Sequence, residues 1–173
     1  MLDVRRFRVD IWMKSFLKYW LPLLAWLVVT FVGSTNLLSV ANTSRFIDPF
    51  LLWLKPGMTS ETIWVIIVVM RYCAHVGEYM VLALLVWRAL RWGTSMSVRM
   101  STLCGVVLLG CTLFAASDEF HQRFVKSRTP SVRDVLLDVG GASLGLLIAA
   151  SFANRRPKSG RTSTQTQFAD ARL

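Results

Sequence analysis

Charged residues are scarce in this chain, and acidic residues are the scarcest of them. Only 17% of the 173 residues are charged, with 10 Asp and Glu against 20 Lys and Arg, and there are 2 histidines. This polar content is too low for an ordinary soluble globule of this size, which needs a polar surface. A hydrophobic content of 54% and a mean hydropathy of +0.47 instead predict an integral membrane protein.

Cysteine is also rare. Cys73, Cys104 and Cys111 fall inside apolar segments and show no C-x-x-C spacing. This pattern favours reduced packing residues.

Long apolar runs are what the sequence has instead, and a run of roughly 20 residues is enough to cross a bilayer as a helix. Four such runs lie at 19–40, 62–87, 99–119 and 132–153. They predict an all-α polytopic membrane protein, a bundle of four transmembrane helices. The membrane domain is then 19–153, between a basic cytoplasmic N-terminus (1–18) and a disordered cytoplasmic tail (154–173) that is poor in apolar residues.

The connection after the first run contains its own helix signals. Asp48 and Pro49 predict the start of a short helix, and Lys55-Pro56-Gly57 predicts its end. Apolar residues and Trp53 lie between them. We expect an interfacial helix in the first outside loop, followed by a cap of the second spanning helix at Thr59 or Ser60.

The first apolar run follows a basic stretch and carries no charge from Tyr19 to Ala41. A cleavable signal peptide is the alternative, but its apolar region is normally shorter and ends at a small-residue cleavage site, which this run lacks. The pattern favours a retained signal-anchor.

Lys and Arg counts orient the bundle, because cytoplasmic loops carry the excess. The N-terminus, the second connection and the tail carry 13 basic residues together, against 6 in the first and third connections. Both termini are therefore predicted to be cytoplasmic. The third connection departs from the rule, since it holds Arg123, Lys126, Arg128 and Arg133, and either anion binding or internal salt bridges would explain these charges.

Polar residues recur at helical spacing near the outside end of three spans. Arg71, His75 and Glu78 share one face of the second span, and Asp134 and Asp138 share one face of the fourth. The third span ends in the segment DEFHQ, which contains Asp118, Glu119, His121 and Gln122. At about 1.5 Å of rise per residue, the polar groups of the three spans lie about 20 to 28 Å from the basic ends of their helices.

Small residues extend the acidic face of the fourth span. Gly141 and Gly145 have the spacing of a G-x-x-x-G pattern, which lets helices approach closely. The pattern fits packing within the bundle and a homodimer interface equally well.

Two stretches resemble the VanZ-like family. They read HVGEYMVL at 75–82, similar to H-x-x-E-Y-x-x-L, and DEFHQRFV at 118–125, continuing through Arg128, Asp134 and Asp138 to Gly141. Lys126-Ser127 stands where the family usually has Pro-Gly. The resemblance implies a multi-pass protein of the bacterial cytoplasmic membrane that is linked to the cell envelope. The founding member of the family is associated with low-level teicoplanin resistance, and the family pattern does not fix a reaction.

One hypothesis is a membrane hydrolase or transferase that acts on lipid-linked phosphates or glycans. Carboxylates and imidazoles supply acid, base or nucleophile, and guanidinium groups bind phosphate. The candidate catalytic residues are His75, Glu78, Asp118, Glu119, His121, Asp134 and Asp138, and the candidate substrate-binding residues are Arg71, Gln122, Arg123, Arg128 and Arg133.

A divalent metal is a variant of that hypothesis, and it assigns His75, Glu78, Asp118 and His121 as ligands. His-x-x-Glu and Asp-x-x-His each place an imidazole and a carboxylate one helical turn apart.

A second hypothesis is a non-enzymatic binder or shield for envelope lipids, lipid-linked precursors or a lipophilic glycopeptide. The acidic residues would then pair with the arginines, or form a network that only fixes helix register. Transport by a proton relay is a third hypothesis, but the halves show no inverted repeat. Nucleic acid is not an expected partner, because the net charge of +10 is divided between two membrane faces.

Overall fold

Long α-helices account for most of the chain that the structure describes. The structure, a computed structural model, describes residues 3–35, 40–94, 98–125 and 131–154, and these contain no strand. The helices are α1 (Asp3–Ser34), α2 (Val40–Leu54), α3 (Ser60–Gly93), α4 (Met100–Gln122) and α5 (Val132–Asn154). The predicted all-α class is confirmed. The predicted disordered tail lies outside the described residues, apart from Asn154.

Four helices are long and apolar enough to cross a membrane. The candidate spans are Met13–Ser34, Ser60–Gly93, Met100–Gln122 and Val132–Ala153. They confirm the four predicted spans, the fourth with its predicted ends and the other three with shifted ends. The largest extension is in α3, whose 34 residues measure about 50 Å, so this helix is long enough to cross the hydrocarbon layer and reach the interfacial regions.

The first span ends earlier than its apolar run. The helix α1 ends at Ser34, whereas the run predicts a span to residue 40. The Thr35 hydroxyl donates to the Val32 carbonyl at 2.6 Å, and the Thr35 N–H donates to the same oxygen at 3.1 Å. These bonds close the last turn, so hydropathy alone places this boundary wrongly.

The short helix α2 begins eight residues before its predicted start at Asp48. Pro49 lies inside the helix. Proline removes one backbone donor, and this loss is offset because Leu51 packs with Ile63 and Ile67 of α3 in a small apolar cluster. The predicted end is confirmed, since Gly57 has a φ of 87° in the turn that follows. The opposite face exposes large apolar side chains, as expected at a membrane interface: Phe46, Phe50, Trp53 and Leu54.

The helix α3 is the centre of the bundle. It packs against each of the other four helices, most extensively against α5. A Cβ atom added to Gly141 would lie 2.3 Å from the Val76 carbonyl oxygen, and one added to Gly145 would lie 2.5 Å from that of Met80. The G-x-x-x-G pattern therefore brings the backbones of α5 and α3 together inside the bundle.

The buried core lies where α3, α4 and α5 meet. Tyr79, Leu82, Val107, Cys111 and Ala142 are at most 2% exposed. The opposite faces of the spans carry exposed Val, Leu and Phe side chains, as expected of helices in contact with lipid. The small helix α2 lies at the end of the bundle where α1 and α4 finish and α3 and α5 begin. We call this the α2 end.

Candidate functional site

A cavity of about 630 Å³ opens between α1, α2, α3 and α4 near the α2 end. Its volume is in the range of small-molecule sites. Apolar side chains form much of its wall, including Trp26, Val29, Ile47, Ile67 and Met70. Polar side chains also reach the wall: Ser34, Thr43, Arg71, His75, Glu78, Tyr79, Asp118 and Gln122. Such a cavity suits an amphipathic ligand.

Arg71 lies at the cavity wall and is held from behind by α5. Its Nη2 atom lies 2.5 Å from Oδ2 of Asp134, and the two side chains are 23% and 6% exposed. Because a guanidinium has five N–H donors, this pair leaves others for a ligand. Asp134 thus acts on the cavity through Arg71 and does not line it.

His75 is held by the same helix one turn further along. Its Nδ1 atom lies 2.9 Å from Oδ1 of Asp138, and its Nε2 atom lies 3.9 Å from Oδ2 of Asp134. A carboxylate on one ring nitrogen sets the orientation of the imidazole and the position of its proton. The i and i+4 spacing of Asp134 and Asp138 matches that of Arg71 and His75, so the close α3–α5 contact aligns both pairs.

A second polar group comes from α1 and α4. The Ser34 hydroxyl donates to Oδ2 of Asp118, and Nε2 of Gln122 donates to the same oxygen at 3.1 Å. Asp118 and Gln122 are 8% and 1% exposed. This group joins α1 to α4 at the cavity wall.

Glu78 connects α3 to α1. Its backbone carbonyl accepts a hydrogen bond of 3.1 Å from Nε1 of Trp26, and its side chain lines the cavity. Thr30, which is 1% exposed, donates to the Trp26 carbonyl at 3.0 Å on the same face of α1. The predicted residues Arg71, His75, Glu78, Asp118 and Gln122 therefore meet at one cavity.

Two predicted catalytic residues lie elsewhere. The Glu119 carboxylate accepts a hydrogen bond from the Ser131 N–H, directly before α5. The His121 ring lies 5.0 Å from that of Phe31, centroid to centroid. Neither lines the cavity, because a helix places residues 118 and 122 on one face and 119 and 121 on others.

Arg123 and Arg133 of the third connection do not line the cavity. Arg123 and Arg133 are exposed at the α2 end. The ion pairs among the described residues join Arg71 and His75 to α5 and include neither of these two arginines. Arg128 lies outside the described residues, as do Lys126 and Ser127.

The four predicted metal ligands do not fit a metal site. His75 is bound to Asp138, Asp118 is bound to Ser34 and Gln122, and His121 lies against Phe31. Within the described ranges, no three His, Cys, Asp or Glu side chains are grouped so that they could hold a metal ion together.

Ser34, Thr30 and Tyr79 are parts of the site that the sequence prediction missed. Thr30 and Ser34 are hydroxyl residues at i and i+4 in an otherwise apolar span, and this spacing is a usable signal. Tyr79 falls within the HVGEYMVL stretch and lies fully buried at the cavity wall.

No curated protein and no solved structure matches the chain significantly. A family model described as VanZ/LLP1 matches residues 19–153. The matched region includes all four candidate spans from residue 19 onward and every residue of the cavity wall. The chain is a multi-pass membrane protein that belongs to the VanZ/LLP1 family.

Proposed function

We propose that the protein binds the headgroup of a phosphate-bearing envelope lipid in the outer leaflet of the bacterial cytoplasmic membrane. The carrying observation is the cavity, which combines an apolar wall with the free donors of Arg71 in a membrane-embedded bundle. A phosphate on the guanidinium and acyl chains along Val29, Ile67 and Met70 would satisfy both parts of the wall.

The position of the cavity supports the outer leaflet. The α2 end carries fewer basic residues than the opposite end, which the distribution of Lys and Arg assigns to the cytoplasm. Lipid-linked precursors of the cell envelope and lipophilic glycopeptides both reach this leaflet. Occupation of the cavity by such a lipid is our proposed route to reduced susceptibility to teicoplanin-type glycopeptides.

Lipid binding is measured by native mass spectrometry of the purified protein titrated with phosphatidic acid, the simplest phosphate-bearing lipid. We expect saturable binding of one lipid per chain, which Ala74→Trp abolishes because the indole fills the cavity. Val69→Trp is the matched control, since Val69 is an exposed residue of the same helix that does not line the cavity. Equal, non-saturable binding by all three proteins would overturn the proposal.

The link to resistance needs a cellular measurement. Expression in a susceptible host is expected to raise the minimum inhibitory concentration of teicoplanin, and Ala74→Trp is expected to remove the increase while Val69→Trp retains it. If both variants gave the same increase at equal protein levels, resistance would not depend on the cavity.

A catalytic role is a second candidate, favoured by the pairing of His75 with Asp138. An imidazole oriented by a carboxylate is the usual form of a general base, and His75 lines the cavity. In this function the imidazole would accept a proton from water or a hydroxyl as its oxygen attacks the phosphorus of a lipid-linked phosphate. The P–O bond to the leaving group would break, and the imidazolium would return the proton to the departing oxygen. Mass spectrometry of envelope lipids incubated with the protein should then detect a product that His75→Gln does not form, although that variant still binds lipid.

A further inference from the structure

Three buried polar atoms of cavity-wall residues have no hydrogen-bond partner in the described part of the chain: Oδ1 of Asp118, Oε1 of Gln122 and the Tyr79 hydroxyl. The first two can only accept, whereas a hydroxyl can also donate. The side chains of Asp118 and Gln122 line the cavity and are more than nine-tenths buried. An unsatisfied buried polar group is unfavourable, so a ligand that donates to these two acceptors would be favoured.

The hydrogen bond between Gln122 and Asp118 determines which of their side-chain oxygens remain free to accept. Nε2 of Gln122 donates to Oδ2 of Asp118, so the amide must turn its oxygen away. The reversed amide would place its oxygen against a carboxylate oxygen that already accepts from Ser34, and two acceptors do not bond. The free atoms are therefore two oxygens of residues one helical turn apart on one face of α4.

The balance of charged groups favours a cationic donor. The cavity wall contains two carboxyl groups, on Glu78 and Asp118. Its two basic groups, the Arg71 guanidinium and the His75 imidazole, are already paired with Asp134 and Asp138 of α5. A hydroxyl can donate one hydrogen bond and carries no charge. A primary ammonium has three N–H donors and a positive charge, so it can serve both free oxygens and oppose the carboxyl groups.

We infer that the lipid bound in this cavity carries a primary ammonium group beside its phosphate. The ammonium donates to Oδ1 of Asp118 and Oε1 of Gln122, and the phosphate binds the free donors of Arg71. This inference rests on the proposed function, because it names the headgroup of the same lipid. Phospholipids with an ethanolamine headgroup have this chemistry, as do lipid-linked precursors with an amino group near the phosphate.

Three lipids with identical acyl chains separate the possible sources of affinity. Phosphatidylethanolamine has the phosphate and the ammonium. Phosphatidylcholine keeps the phosphate and the positive charge but replaces every N–H with a methyl group. Phosphatidylglycerol keeps the phosphate and supplies hydroxyl donors without a positive charge. Dissociation constants come from native mass spectrometry titrations of the full-length protein in one detergent.

We expect phosphatidylethanolamine to bind about tenfold tighter than either other lipid, which corresponds to about 1.4 kcal/mol. In Gln122→Met the three lipids should bind with about equal affinity, because methionine has a similar shape and no acceptor oxygen. Thr112→Val, in which a hydroxyl bonded within α4 and outside the cavity wall is removed, should keep the preference.

Equal affinity for phosphatidylethanolamine and phosphatidylcholine would overturn the inference that the N–H groups of an ammonium are recognised. If phosphatidylglycerol bound as tightly as phosphatidylethanolamine, the inference that the positive charge is required would be overturned. In both outcomes lipid binding itself, and with it the proposed function, stands. An amine preference that persists in Gln122→Met would place the ammonium elsewhere and overturn the assignment to α4. Absence of saturable binding for every lipid, with Ala74→Trp indistinguishable from the unchanged protein, would instead overturn the proposed function.

Discussion

Nδ1 of His75 lies 2.9 Å from Oδ1 of Asp138, so a side chain of α5 determines the orientation of an imidazole on α3. The contact is made across the interface where Gly141 faces the Val76 carbonyl. The close approach of the two backbones lets a short aspartate reach the histidine. Packing and site geometry in this protein therefore depend on the same pair of helices.

The hydrogen bond to Asp138 predicts the position of the His75 proton. A carboxylate accepts, so Nδ1 must carry a hydrogen, whereas an isolated neutral imidazole usually protonates Nε2. We expect ¹⁵N NMR of histidine-labelled protein to find a protonated Nδ1 on His75. Asp138→Leu should shift the proton to Nε2, and Asp138→Asn should leave it in place because its amide oxygen still accepts.

Assignment is direct because the chain has only two histidines. The spectrum of His121→Gln contains the His75 signals alone. A bare Nδ1 on His75 in the unchanged protein would contradict the contact with Asp138.

The ion pair between Arg71 and Asp134 predicts a large coupling energy. Asp134 is 6% exposed at its side chain and Arg71 is 23% exposed, so removal of the arginine leaves a buried carboxylate without its partner. We expect Arg71→Met to lower the free energy of unfolding by about 2 to 4 kcal/mol. This is less than the loss expected for a fully buried ion pair, because Arg71 is partly accessible to solvent.

A double-mutant cycle measures the coupling. Asp134→Leu combined with Arg71→Met should recover about 1 to 3 kcal/mol relative to the sum of the single variants, measured by unfolding in mixed detergent micelles. Additive effects would show that the two side chains do not interact in the membrane protein.

The glycines of α5 predict opposite outcomes for neighbouring substitutions. A Cβ atom on Gly141 would lie 2.3 Å from a backbone oxygen of α3, which cannot move without shifting the helix. We expect Gly141→Ala to destabilise the protein by about 1 to 3 kcal/mol. Gly140→Ala is the matched control, because an added Cβ there meets nothing within 4 Å, and it should be neutral or stabilising by up to about 1 kcal/mol. Equal destabilisation by both would mean that α5 does not approach α3 through Gly141.

Sequence patterns were sufficient for much of this site. Helical spacing placed Arg71, His75 and Glu78 on one face of α3, and the structure brings that face to the cavity. The same reasoning about a five-residue segment failed for Glu119 and His121, because residues that are adjacent in a polar run point to different sides of a helix. Only the angular position of each residue relative to α1 and α3 separates Asp118 and Gln122 from them.

Other features depend on contacts that no local pattern encodes. The early end of α1 follows from hydrogen bonds of Thr35. In α2, Ile47 precedes the predicted start and packs against the cluster that contains Ile63 and Ile67. The sequence also did not determine which residue each acidic side chain pairs with. Asp134 and Asp138 pair with α3 because Gly141 and Gly145 set the register of the two helices.

Cysteine labelling tests the orientation that places the cavity in the outer leaflet. The distribution of basic residues puts both termini in the cytoplasm, so α2 must lie outside. Arg45 is exposed on α2, and Arg91 is exposed in the last turn of α3 at the opposite end of the bundle.

In a variant in which alanine replaces the three native cysteines, Arg45→Cys should react with a membrane-impermeant maleimide in intact cells. Arg91→Cys should react only after the membrane is permeabilised. Each substitution removes one basic residue, so the two variants are matched in charge. The reverse labelling pattern would place the α2 end in the cytoplasm, and the lipid of the cavity would then be drawn from the inner leaflet, which contradicts the proposed access to lipophilic glycopeptides outside the cell.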